Sequence, residues 1–262
     1  MARTGRLGTW LDPVRVALDV APEPVDLFVR DDDVGWEDER LWRLLDVFQE
    51  HALAVDLAVI PMELSPRAAR ELCIRSESTP RIVSWHQHGF AHANHESTGR
   101  KHEFGPSRAG WLQRRDVEEG QARLRDLLGS SDPIFTPPWN RCTETTGQCL
   151  RELGFEALSR ESRAAPLAIP GLAEVPVNID WFAHRKGVRL SRLEFGNSLA
   201  GIIKRSGYIG LMLHHAEMNG EERAAANQLF AVFAAHDSVR PRWMLELVRQ
   251  GVSPKLVSEV ET

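Results

Sequence analysis

The chain has 262 residues, a net charge of -5 at pH 7, 42 % hydrophobic and 26 % charged residues. That is apolar material for a sizeable core, and α/β barrels reach this length as one unit, so a single domain over residues 1–262 is expected. The acidic balance, without any Lys/Arg run, argues against nucleic acid as a partner, and no stretch of 18 apolar residues offers a membrane-spanning helix. Residues 1–8 lack the apolar run of an export signal. Cys73, Cys142 and Cys149 are an odd, widely spaced set that fits neither a disulfide framework nor a Cys-x-x-Cys knuckle. A cytoplasmic, reducing location is the resulting expectation.

Strand-length apolar runs alternate with helical patterns along the chain, the signature of βα units around a parallel sheet. Residues 25–30 read as a strand, and 37–51 as an amphipathic helix with Leu41, Leu44, Leu45 and Phe48 at helical spacing. Strand 54–60, helix 66–75 and strand 81–86 follow. Residues 89–109 form a long, polar, His-rich connection, which suggests a functional loop. Helix 111–128, strand 133–136, helix 144–153 and strand 155–159 come next, then strand 174–180, a helix around 198–205 and strand 208–213. Helices 221–235 and 241–250 close the chain. Six or seven parallel strands of this kind make a barrel or a doubly wound sheet. In either, active sites are built at the C-terminal ends of the strands, where Asp32, Asp33, His86, His88, Asp180 and His214 fall.

Strand alternation assigns directions. Val25, Leu27 and Val29 form one apolar face, so Arg30 and Asp32 turn toward the barrel mouth, with Asp33 just past the strand. The run Asp31-Asp32-Asp33 is self-repelling unless a cation neutralises it. His86, His88, His92 and His95 fall within ten residues of a chain with 10 histidines in all. His86 and His88 share one parity, and the four-residue spacing of His88 and His92 fits one side of a helical turn leaving the strand. A carboxylate plus two imidazoles with an open fourth position is a catalytic zinc arrangement. His86 and His95 are alternative ligands. In Thr136-Pro137-Pro138-Trp139 neither proline has an N–H, so Trp139 offers the first free backbone donor to an oxyanion. Alternation turns His214 inward and His215 away, and turns Asp180 inward, where a hydrogen bond to His214 would hold that imidazole protonated. Trp85, Trp139 and Trp181 are candidate walls for a sugar ring.

The order of these motifs resembles that of the polysaccharide deacetylase superfamily, the NodB-like carbohydrate esterases (family 4-like). The family's Asp-Asp, His-x-x-x-His, Arg-x-Pro-Tyr/Trp-type, Asp/Trp and Leu-x-His motifs correspond to Asp32-Asp33, His88 to His92, Thr136 to Trp139, Asp180-Trp181 and Leu213-His214. The match runs in order from about residue 25 to residue 216. It implies a distorted (β/α)7 barrel and hydrolysis of an N-acetyl group from an amino sugar. It also implies a divalent metal held by Asp33, His88 and His92, with Asp32 as general base and His214 as general acid. The His/Asp donor set favours zinc, with cobalt, nickel or manganese as alternatives. Two departures stand out: Thr136 occupies the place of the family's arginine, for which Arg30 or Arg141 is a substitute, and Val34-Gly35 follows Asp-Asp. They leave open hydrolysis of another, non-sugar C–N bond. A catalytically impaired, deacetylase-like metal- or carbohydrate-binding protein is the competing reading. The expected partner is a small molecule or saccharide.

Overall fold

The computed structural model describes residues 9–251. The N-terminal residues 1–8, read above for an export signal, lie outside that range. Helix α1 (Asp12–Asp19), which the sequence reading missed, precedes the first strand. There follow β1 (Val25–Val34), α2 (Asp38–Glu50), β2 (Val55–Val59), α3 (Pro66–Ser78), β3 (Val83–His88), α4 (Gly110–Leu128), β4 (Asp132–Thr136), α5 (Glu144–Glu152) and β5 (Ala157–Leu158). The second half adds β6 (Ala173–Glu174), β7 (Ile179–Asp180), a small hairpin of β8 (His184–Arg185) and β9 (Val188–Arg189), α6 (Arg192–Ser206), β10 (Tyr208–His214), α7 (Gly220–Ala235), β11 (Val239–Pro241) and α8 (Met244–Arg249).

Side-chain caps fix the helix starts: α3 begins at Pro66 as expected, whereas α6 begins at Arg192, ahead of the expected 198. Ser65 caps α3 by accepting the Ala68 N–H at 3.0 Å, with Pro66 at the first helical position. Ser191 and Glu194 form a capping box on α6. The α2 residues Leu41, Leu44, Leu45 and Phe48 are buried as their spacing predicted.

The main sheet runs β6-β5-β4-β3-β2-β1-β10-β7, with β11 also paired to β1, and all its pairings are parallel. The expected single strand 174–180 is in fact split. Its first part pairs with β5 and its last part with β10, while Val175 and Val177 donate to the carbonyls of Leu158 and Arg160. One short stretch therefore joins both ends of the sheet and closes a curled, distorted barrel. Pro176 and the bend between the two pairings keep it from being a regular strand.

Alternation holds along β1. Val25, Leu27 and Val29 pack outward against the helices, whereas Phe28 packs inside with Ile134, Val175, Val177, Tyr208 and Met212. Met244 and Leu247 of α8 fill the floor of that interior. Burying each such side chain stabilises the fold by roughly 1.5–3 kcal/mol. The apolar floor leaves the upper interior to polar groups, and the site is built there.

Candidate active site

Asp31, Asp32 and Asp33 point three ways. Strict alternation would turn Asp33 to the side opposite Asp32. The strand bulges between Asp31 and Val34, and Asp33 takes a left-handed φ of 67°, which swings its carboxylate to the mouth. Gly35 makes the following turn at φ 122°, where a Cβ would sit 2.8 Å from that of Glu63. Glycine at position 35 is thus a conformational requirement of this turn.

Asp33 meets two imidazoles. Its Oδ1 lies 3.2 Å from His88 Nε2 and 3.2 Å from His92 Nε2. Among the described residues, these three form the group whose donor atoms all lie within 4.8 Å of one another. The expected helical turn between the histidines is absent. Residues 89–94 carry no helix, and His92 reaches Asp33 through left-handed φ values at Gly89 (58°) and His92 (54°). His88 Nδ1 donates to the Thr136 carbonyl at 2.9 Å, which orients the ring with Nε2 facing Asp33. One carboxylate and two Nε2 atoms are donors suited to a divalent cation of the zinc type. Burial raises the Asp33 pKa, but hydrogen bonds from both histidines more than offset this and hold the carboxyl well below the usual range.

Asp32 is buried, and burial alone would raise its pKa. The Arg30 guanidinium, followed by His88 and His214, reverses the shift and keeps the carboxyl ionised. Arg30 Nε is 2.7 Å from Oδ1 and Nη2 is 2.9 Å from Oδ2. Arg30 is 0 % exposed and also donates to Ser159 Oγ at 2.8 Å and Asn140 Oδ1 at 2.7 Å. Of the two arginines offered by the sequence, Arg30 is therefore the one that meets Asp32. Arg141 instead donates from Nη1 to the Lys101 carbonyl. His214 stands directly opposite Asp32 in the β1–β10 register.

Other expectations are corrected. No hydrogen bond joins Asp180 to His214 among the described residues; Asp180 Oδ1 accepts the Phe182 N–H at 2.9 Å and caps the following turn. Burial raises the Asp180 pKa against the attraction of His214. His86 lies outside the Asp33 cluster, with Nε2 2.8 Å from Thr136 Oγ1. Burial, then Arg30, push its pKa down to about 3 and keep it neutral. His95 pairs its backbone N–H with the His102 carbonyl, outside the Asp33 cluster. His215 faces away, as alternation predicted, and binds Asp31 and the Trp36 carbonyl. Trp85 points outward to the Ser130 carbonyl, and Trp181, 1 % exposed, packs on Trp10 and Phe195. Neither walls the mouth.

Trp139 does. Beyond Pro137-Pro138 it adopts a left-handed φ of 56°, and its ring lies 4.6 Å from that of His92. Trp36 packs on the same imidazole at 4.8 Å. Sequence reading missed Trp36, whose only signal was its nearness to the acidic run. A separate cleft of about 620 Å³, lined by Glu37, Trp42, Arg67 and Glu71, runs between α2 and α3, away from these donors.

Against known structures the chain aligns along most of its length. A Mycobacterium smegmatis protein assigned as a polysaccharide deacetylase matches at TM-score 0.65 and 17 % identity, over 92 % of this chain and 96 % of that one. A family 4 acetyl xylan esterase from Clostridium thermocellum, in complex with a cobalt ion, matches at 0.60 and 11 %, over 87 % and 93 %. A family 4 pseudoenzyme from Bacillus anthracis matches at 0.51 and 9 %, over 88 % and 62 %. No protein-family model and no curated protein matches the sequence. The fold is that of the polysaccharide deacetylases, the NodB-type distorted barrel, as the motif order implied.

Proposed function

We propose that the protein is a metal-dependent amide hydrolase that removes the acetyl group from an amino sugar or saccharide. The observation that carries the reading is the convergence of His88 and His92 Nε2 on one Asp33 oxygen, beside an Asp32–His214 pair on adjacent strands. A divalent ion held by Asp33, His88 and His92, zinc by donor preference, supplies Lewis acidity toward the acetamide carbonyl and acidifies water.

The chain's own groups supply the rest. Asp32, kept ionised by Arg30, takes a proton as water adds to the carbonyl carbon. The Trp139 N–H receives the developing oxyanion, a donor type worth about 3–4 kcal/mol. His214 gives a proton to the nitrogen as the C–N bond breaks, because an amine is too basic to leave as an anion. Acetate and the free amine result. The indoles of Trp36 and Trp139 offer flat walls to a sugar ring. The three cysteines are free thiols, which supports a reducing, cytoplasmic setting and a soluble amino sugar as substrate.

The fold similarity to a pseudoenzyme and the missing motif arginine favour a binding protein without turnover. The Arg30–Asp32 pair takes away the second ground, since the base keeps its cationic partner from another position. Acetate release from N-acetylglucosamine and its oligomers, measured with zinc or cobalt supplied, tests the proposal. Turnover that falls at least 100-fold in Asp32→Asn supports it. A wild-type protein that binds metal but releases no acetate from any N-acetyl sugar supports the binder instead.

A further inference from the structure

The loop that carries His92 has no regular structure, yet its backbone is tied at three points to one side chain. Glu103 Oε2 accepts the Phe90 N–H at 3.0 Å, and Oε1 accepts those of Ala91 at 2.7 Å and Ala93 at 3.3 Å. Glu103 is 1 % exposed, and no Lys, Arg or His lies within ion-pair distance of it among the described residues. A buried carboxylate is costly unless its charge is met, and here backbone amides meet it.

We infer that Glu103 is the positioning residue of the candidate metal site, clamping the 90–93 backbone so that His92 faces Asp33. The inference rests on the metal-dependent reading above.

Three further features fit the clamp. Gly89 has no side chain, and a Cβ there would lie 2.1 Å from Glu103 Oε2 and 2.6 Å from Pro138, so glycine admits the carboxylate beneath the loop. Gly89, Phe90 and Ala91, the residues between the two histidines, carry no side-chain hydroxyl that could tie the loop itself. The backbone pair from the His95 N–H to the His102 carbonyl, 2.9 Å, closes the chain between loop and clamp. The amides thus fix His92 from below, while Trp36 and Trp139 pack on its ring.

Cobalt(II) titration of the full-length protein, followed by its visible absorption and by calorimetry, tests the clamp with no need of turnover. In Glu103→Gln the new amide nitrogen cannot accept the Phe90 N–H, and Co2+ affinity is expected to fall about 10–100-fold, the cost typical of losing a group that orients a ligand. Asp26→Asn, which cuts the Arg240 and Arg242 pairs at the opposite end of the barrel, is expected to leave Co2+ affinity within twofold. Wild-type affinity in Glu103→Gln, measured well below its melting temperature, overturns the inference and leaves the metal reading standing. A wild-type protein that takes up no Co2+ overturns both. If Glu103→Gln fails to fold, amide exchange in the wild type decides. Protection of Phe90, Ala91 and Ala93 comparable to sheet amides supports the clamp, and exchange at free-loop rates overturns it.

Discussion

Arg30 and Asp32 stand two residues apart on one strand and meet side by side, Nε on Oδ1 at 2.7 Å and Nη2 on Oδ2 at 2.9 Å. A two-residue step in a strand is the shortest that returns a side chain to the same face. Asp32, the proposed base, therefore has its orienting cation on the same strand, whereas Thr136, at the place of the family's arginine, bonds His86 instead.

Replacing Arg30 by Met keeps bulk and removes both bonds. It strands a buried carboxylate, so a loss of roughly 3–5 kcal/mol in unfolding free energy is expected. A misplaced base is expected to lower kcat by about 100-fold with little change in KM. Arg30→Lys restores charge but not the two-pronged contact, so it should recover stability better than kcat. Denaturant melts and steady-state kinetics on both variants check this. Unchanged kcat in Arg30→Met would remove Arg30 from the mechanism.

His215 predicts a pH signature in stability. Nδ1 lies 2.7 Å from Asp31 Oδ2 and Nε2 lies 2.8 Å from the Trp36 carbonyl, so both ring nitrogens face acceptors and the charged form is favoured. Burial lowers its pKa, but Asp31, the Trp36 carbonyl and Asp33 together outweigh burial and the pKa is raised. A raised histidine stabilises fully below its unfolded pKa of about 6.5, and the contribution is lost as pH rises through the folded value. Metal-free wild type should therefore exceed His215→Gln in stability most at pH 5–6, with the gap narrowing in alkali. A gap that widens with pH would refute the charged pair.

Asp56 carries the opposite sign. Burial raises its pKa well above normal, against the single Met244 N–H that it accepts, and its Oδ1 has no partner. The folded state holds a proton that the unfolded chain releases above about pH 4, so folding is disfavoured as pH rises from there. Asp56→Asn, neutral at every pH, is expected to gain stability relative to wild type at pH 7–8 and to lose that advantage near pH 4. Thermal melts at both pH values decide.

The sequence made the fold legible because its pattern repeats. Alternation along β1 predicted which side chains enter the barrel, and the helical spacing of Leu41, Leu44, Leu45 and Phe48 predicted α2. Short β5, β6 and β7 were less legible, because two-residue pairings leave almost no period to read. The candidate ligands were legible as residue types, but their convergence was not. It depends on left-handed backbone at Asp33 and His92, which side-chain periodicity does not encode. Choosing Arg30 over Arg141 required Ser159 and Asn140, more than 100 residues away, to close around the guanidinium. Glu103 was not legible, since nothing local shows that three amides from an earlier turn enclose it.

The most direct measurement is anomalous diffraction from crystals grown with zinc, recorded on both sides of the zinc edge. The account predicts one strong peak about 2.0–2.2 Å from an Asp33 oxygen, His88 Nε2 and His92 Nε2 together. A peak on His86 or His95, or fully occupied zinc elsewhere with Asp33, His88 and His92 bare, would contradict it.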